Sequence, residues 1–147
     1  MNKYMKLALE EAQKGIRSGH GGPFGCVIVK DDTVIGKGHN EVIRRNDPTC
    51  HGEMMAIRDA CAGLMTFDLS GCDLYTTAQP CPMCDAAIHW ANIRNVYYGC
   101  TVSDSDSIGF RDTDLFSGTK VGAFELNRTE CLELFREYVK IKDRKHY

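Results

Sequence analysis

A chain of 147 residues is the length of one ordinary domain, and 43% hydrophobic with 26% charged is the composition of a globular protein. Such a chain buries roughly 70% of its unfolded surface and needs no disulfide scaffold. Eighteen Lys and Arg against twenty Asp and Glu give a net charge of −2, which argues against a nucleic-acid partner; no apolar run reaches membrane-spanning length, and residues 1–15 lack the apolar segment of a secretory signal.

The expected location is therefore the cytoplasm, and the eight cysteines are read in that light. Cys26, Cys50, Cys61, Cys72, Cys100 and Cys131 stand singly and read as small buried or half-buried hydrophobes; only Cys81 and Cys84 form a close pair, suited to metal.

In chain order, residues 3–17 place Met5, Leu9, Ala12 and Ile16 at helical spacing, with Lys3, Lys6, Glu10, Lys14 and Arg17 mainly opposite. Ser18–Pro23 stops that helix. Phe24–Lys30 reads as a buried strand, Asp31-Asp32 as a turn and Thr33–Gly38 as the antiparallel partner. Residues 39–50 form a polar loop. The run 51–61 is a buried helix, 72–77 a strand, 81–91 a second apolar helix opening on Pro82, and 95–100 another strand. Residues 101–122, rich in Ser, Asp and Gly, read as a long loop with short ordered pieces. Asn127 followed by Glu130 resembles a helix N-cap, opening a helix with Leu132, Phe135 and Val139 facing inward. No linker or repeat divides residues 1–147, so one domain is expected. Strands alternating with helices predict an α/β fold, one sheet covered on both faces, its later strands parallel.

Cys81-Pro82-Met83-Cys84 lets two thiolates reach one ion, and His51-Gly52-Glu53 stands upstream; both groups open predicted helices, where unpaired N–H groups favour anionic ligands. Three ligands, His51, Cys81 and Cys84, leave a zinc ion with a fourth position for water. Glu53, two residues after the histidine, is placed to move a proton to and from that water. A structural site would need a fourth protein ligand, and no second Cys-x-x-Cys supplies one. His20, His39 and His146 carry no partner pattern, His39 being notable only for standing beside Asn40. Lys140, Lys142, Arg144 and Lys145 make one basic cluster, read as a solvated helix face.

His-x-Glu followed by Pro-Cys-x-x-Cys is the zinc signature of nucleobase deaminases, and the chain resembles the cytidine/deoxycytidylate deaminase superfamily, within it the guanine deaminase group. The likeness runs nearly end to end, through Gly21–Gly25, Asn40, Asp47–Thr49, the two zinc motifs, Gly109-Phe110-Arg111-Asp112 and Tyr147. It implies a three-layer α/β/α cytidine deaminase-like fold with a mixed five-stranded sheet. One zinc ion would be held by His51, Cys81 and Cys84, with Glu53 as proton shuttle. Asn40 would hydrogen-bond the base, Phe24 stack on it and Asp112 accept from its N–H donors. A homodimer is implied, the segment ending in Tyr147 closing over a pocket, in some members the partner's.

Two departures stand out. The usual alanine between histidine and glutamate is Gly52, a form shared with fungal-type cytosine deaminases, and Gln79 replaces the glutamate common before Pro-Cys. The expected reaction is hydrolysis of guanine to xanthine and ammonia. The alternatives are cytosine or another amino-heterocycle (a nucleoside, triazine or pterin), tRNA adenosine, and a non-catalytic zinc module.

Overall fold

The computed structural model describes residues 1–116, 122 and 124–144, the side chain of Cys131 excepted. The chain divides into two units, Met1–Ser117 and Gly118–Tyr147. The first contains, in order, α1 (Lys3–Arg17), β1 (Gly25–Lys30), β2 (Thr33–His39), α2 (Val42–Arg45), α3 (Gly52–Leu64), β3 (Asp73–Ala78), α4 (Pro82–Trp90), β4 (Asn95–Cys100), α5 (Val102–Ser107) and α6 (Asp112–Phe116).

Local chemistry accounts for most boundaries. The Asn2 side chain accepts from the backbone N–H groups of Tyr4 and Met5, satisfying two unpaired donors at the start of α1. Asp31 and Asp32, both at positive φ, make the two-residue turn that joins β1 to β2 in a hairpin. Thr101 and Asp104 form a capping box that starts α5 inside the stretch expected to be mainly loop.

The sheet order is β2-β1-β3-β4. β1 runs antiparallel to both neighbours while β3 and β4 are parallel, so β2, β3 and β4 share one direction, as helical crossovers require. Four strands are present among the described residues where five were expected. After β4 the chain turns into α5 and α6 rather than extending, because Thr101 and Asp104 favour a helix start.

Side-chain alternation builds the layers. Cys26, Ile28 and Leu74 face Ala56 and Ala60 of α3 and Ile88 of α4, whereas Val27, Val29 and Tyr75 face Tyr4 and Ala8 of α1. The buried stripe of α1 is Tyr4, Ala8, Ala12 and Gly15, while Leu9 and Ile16 of the expected stripe are exposed. The reason is steric. A Cβ at Gly25 would lie 2.1 Å from the Ala8 carbonyl oxygen and 2.4 Å from the Ala12 nitrogen, so only the small-residue face of α1 fits against β1. Cys100, expected to be buried or half-buried, is exposed on β4, one of the two edge strands of the sheet.

In the second unit α7 (Arg128–Val139) begins after Asn127, whose φ of 54° is left-handed and whose side chain makes no capping bond, unlike the expected N-cap. Phe135 and Val139 are exposed, not turned inward, since so short a unit has no core of its own to receive them. Arg144 donates to the Val139 and Ile141 carbonyls, so one member of the basic cluster serves the end of α7. No helix among the described residues is long and apolar enough to cross a membrane.

Gly25→Ala is expected to lower unfolding stability by about 3 kcal/mol, the scale of a forced core overlap. Gly63→Ala, in α3 with nothing within 4 Å of the added Cβ, should raise it by about 1 kcal/mol. Denaturant titration of both variants beside the parent checks the pair.

Candidate active site

The approach to α3 is fixed by short-range bonds. Asn46 takes a left-handed conformation, and Asp47 Oδ1 accepts from the Thr49 amide at 2.8 Å and the Thr49 hydroxyl at 2.7 Å. His51 N–H then donates to the Thr49 carbonyl, leaving His51 as the N-cap of α3 with its ring free of capping duty. Cys81 is the N-cap of α4, Pro82 follows where no N–H is needed, and Cys84 lies in the first turn. Two helix N-termini thus present an imidazole and two thiols to one point.

His51 Nδ1 lies 3.6 Å from Cys81 Sγ and 3.6 Å from Cys84 Sγ. Zn–S bonds of about 2.3 Å and Zn–N bonds of about 2.0–2.1 Å at a tetrahedral angle place sulfur and nitrogen about 3.6 Å apart. The donor set and its spacing therefore fit zinc, with three protein ligands gathered.

The Cys84 thiol and backbone N–H both point at Cys81 sulfur, and with His51 they bring the Cys81 thiol down to about 4 despite its burial. Cys84 moves the opposite way, because its proton is the one held by the Cys81 sulfur and because it is buried. His51 is raised, first through its bond with Cys81.

Glu53 sits one residue into α3 and is only 5% exposed. Its Oε1 accepts from Thr76 Oγ1 of β3 at 2.8 Å. Burial raises its pKa above that of a free glutamate, outweighing the Thr76 bond. A carboxyl so placed can hold and release a proton nearer neutral pH.

Thr77, on the other face of β3, donates to the Pro23 carbonyl at 3.1 Å and accepts from Gly25 N–H at 3.1 Å, which pins the segment carrying Phe24. Phe24 packs edge-to-face on Phe110, ring centroids 4.7 Å apart. Gly22 lies under both rings, where a Cβ would come within 2.8 Å of each. Asn40, only 4% exposed, donates its N–H to the Phe24 carbonyl at 2.9 Å and accepts Val42 N–H on Oδ1 at 3.1 Å. Its carboxamide nitrogen takes part in neither bond. Asp112 opens α6; its pKa is raised by burial and then by the negative charge of Cys81, with His51 opposing. Tyr147 lies outside the described residues.

Gly52 stands where a Cβ would meet the Phe24 carbonyl oxygen at 3.0 Å. Gln79 Oε1 accepts Val102 N–H, the first amide of α5, at 3.3 Å. The second convergent cluster, His20, His39 and Glu41, was not anticipated from the sequence; the spacing His39-x-Glu41 at a strand end was the one available sign.

A family model described as the cytidine and deoxycytidylate deaminase zinc-binding region matches residues 1–100. The chain is 38% identical over 151 residues to the guanine deaminase of Bacillus subtilis, covering 98% of this chain and 97% of that protein. The crystal structure of that enzyme superposes with a TM-score of 0.94 over 100% of this chain and 99% of the other. The cytosine deaminase of Candida albicans is 36% identical, covering 95% of this chain and 89% of its own. The tRNA-specific adenosine deaminase of Aquifex aeolicus is 43% identical over 65% of this chain and 62% of its own. With its His-Cys-Cys triangle and a family match over two-thirds of its length, the chain belongs to the cytidine and deoxycytidylate deaminase zinc-binding family.

Proposed function

We propose that this chain is a guanine deaminase, hydrolysing guanine to xanthine and ammonia. The observation that carries the reading is the meeting, at two helix N-termini, of a zinc-sized His51–Cys81–Cys84 triangle with the buried carboxyl of Glu53. Likeness to a guanine deaminase over nearly the full length of both chains supports the choice of base.

His51, Cys81 and Cys84 would hold one catalytic zinc per chain. When bound, zinc would supply Lewis acidity that lowers the pKa of water toward roughly 7. Glu53 accepts a proton from the attacking water and hands it to the ring nitrogen as oxygen bonds to the amine-bearing carbon. A second proton passes through Glu53 to the amine, the carbon–nitrogen bond breaks, and ammonia leaves. Thr76 keeps the carboxyl aimed throughout. Asp112 accepts from the two adjacent donors of guanine, its ring N1–H and its 2-amino group, while Asn40 donates through its carboxamide nitrogen and Phe24 covers a ring face.

The whole of residues 1–147 acts as one deaminase domain, as a cytoplasmic homodimer. The described cysteines outside the metal triangle are free thiols, which agrees with a reducing compartment. A cytosine deaminase is the second reading, favoured by Gly52 and by the near full-length likeness to the Candida enzyme.

Glu53→Gln should keep zinc and lose about 10²–10⁴-fold in kcat, whereas Cys84→Ala should lose zinc and turnover together; metal analysis beside an ammonia-release assay reads both. Zinc retained in the parent with no turnover on any base would mark a binding module.

A substrate panel of guanine, cytosine, adenine, guanosine, cytidine, aminated triazines and pterins should give a preference for guanine. That preference is expected to fall about 100-fold in kcat/KM in Asp112→Ala, the scale of losing hydrogen bonds to a charged acceptor. Fastest release from cytosine, with guanine unaffected by Asp112→Ala, would replace the first reading with the second.

A further inference from the structure

We propose that His20, His39 and Glu41 form a second metal site, distinct from the His51–Cys81–Cys84 centre, for a borderline divalent cation such as Zn2+ or Ni2+. The three come from separate places: the turn after α1, the end of β2, and the residue before α2. His20 Nδ1 lies 2.8 Å from His39 Nε2, and Glu41 Oε1 lies 3.8 Å from His39 Nε2 and 4.0 Å from His20 Nδ1. Donors about 2.0–2.1 Å from an ion stand about 2.8–3.4 Å apart at angles between 90° and 109°. The observed separations bracket that span, and a turn of the Glu41 carboxylate closes it.

The surroundings are those of a ligating histidine. His39 Nδ1 bonds the Glu11 carboxylate at 3.0 Å, the carboxylate–histidine arrangement that fixes a ligand ring and makes its other nitrogen more basic. His39 is held against Gly15, where a Cβ would come 2.7 Å from the ring. The His20 carbonyl accepts the amides of Ile43 and Arg44, tying its turn to α2. His39 and Glu41 are buried, while His20 is partly open and provides a way in. Burial, and then the charge of Arg44, keep His20 below the ordinary histidine range, so its ring is neutral near pH 7.

Two histidine nitrogens 2.8 Å apart share one proton. An ion entering between them shifts that proton to His20 Nε2, so the ring stays neutral, and takes up both lone pairs and a Glu41 oxygen. Arg44 and Arg45 hold Glu41 in the absence of metal. Both side chains are half-exposed, so the Arg44 pair is weak and yields to the cation. Since a Cβ at Gly21 would overlap the Asn40 carboxamide, the clasp also fixes residues 20–22 against Asn40.

The test is calorimetric titration of the full-length protein, loaded with a single equivalent of zinc, with Ni2+ alone. One further equivalent should bind to the parent. Its affinity should fall more than 10-fold in His20→Ala and about 10-fold in Glu11→Gln, and should rise several-fold in Arg44→Gln. His20 and Arg44 lie outside the catalytic residues, and the opposite signs of their variants separate loss of the site from loss of the fold. Absence of a further equivalent in the parent, one that survives His20→Ala, or one that fails to tighten in Arg44→Gln overturns the site.

Discussion

The architecture depends on helices lying against the sheet with no clearance. Gly36 and Gly38 of β2 point to the same face, and a Cβ at either would come 2.6 Å from Ala56 or its neighbours on α3. Ala56 and Ala60 answer from the helix side. Contact between backbones at this distance fixes the height and pitch of α3 over the sheet. The position of its first turn, and so of His51, Gly52 and Glu53, follows. Across the sheet, Gly25 makes the matching seam with Ala8 and Ala12. A donor triangle spaced to a few tenths of an ångström needs supports that cannot slide, and larger residues in long rotamers would not give that.

On this frame, two groups at neighbouring helix starts are driven in opposite directions. Both feel the partial positive charge of a helix N-terminus, which favours anions. Cys81 is surrounded by donors, the Cys84 thiol first and then His51 and the Cys84 amide, and its thiol drops to about 4. Glu53 takes its own backbone N–H, the Thr76 hydroxyl and the Cys84 thiol, yet burial outweighs all three and its carboxyl rises. The site thus separates a group suited to hold a cation from one suited to carry a proton, the division that acid–base chemistry near pH 7 requires. Thr76 and Thr77 make the same division structurally, one side chain serving Glu53 and the next serving the Phe24 segment, because alternate residues of β3 face opposite layers.

What could be read in the sequence is what local chemistry decides. The strand Asn95–Cys100 and helix Lys3–Arg17 fall on their expected bounds, and the Asp31-Asp32 turn sets the hairpin by itself. The gathering of His51, Cys81 and Cys84 was legible because each group opens its own helix. Tertiary fit was not legible. Hydrophobicity chose Leu9 and Ile16 for the inner face of α1, but the flat surface at Gly25 admits only alanines and glycine. Thr101 and Asp104 carried a helix-start signal inside a segment whose composition suggested loop. The pairing of His20 with His39 joins residues that no periodicity connects, so only the folded hairpin and the turn after α1 bring them together.

The two departures from the family pattern act on the walls of the pocket and leave the metal donors alone. A methyl group at position 52 would stand 3.0 Å from the Phe24 carbonyl oxygen, which also accepts the Asn40 N–H. The residue between His51 and Glu53 therefore sets how far α3 lies from the strand end that carries both proposed base contacts. Gly52 allows the nearest approach, and an alanine would press Phe24 and Asn40 outward together. Gln79 holds the first amide of α5 through its carboxamide oxygen, and α5 leads on to Phe110 and Asp112. A glutamate there could accept the same N–H but would add a negative charge two residues from Cys81. A neutral acceptor keeps the loop in place without that repulsion, so the replacement preserves the course of the chain toward Asp112 while altering the field in the pocket.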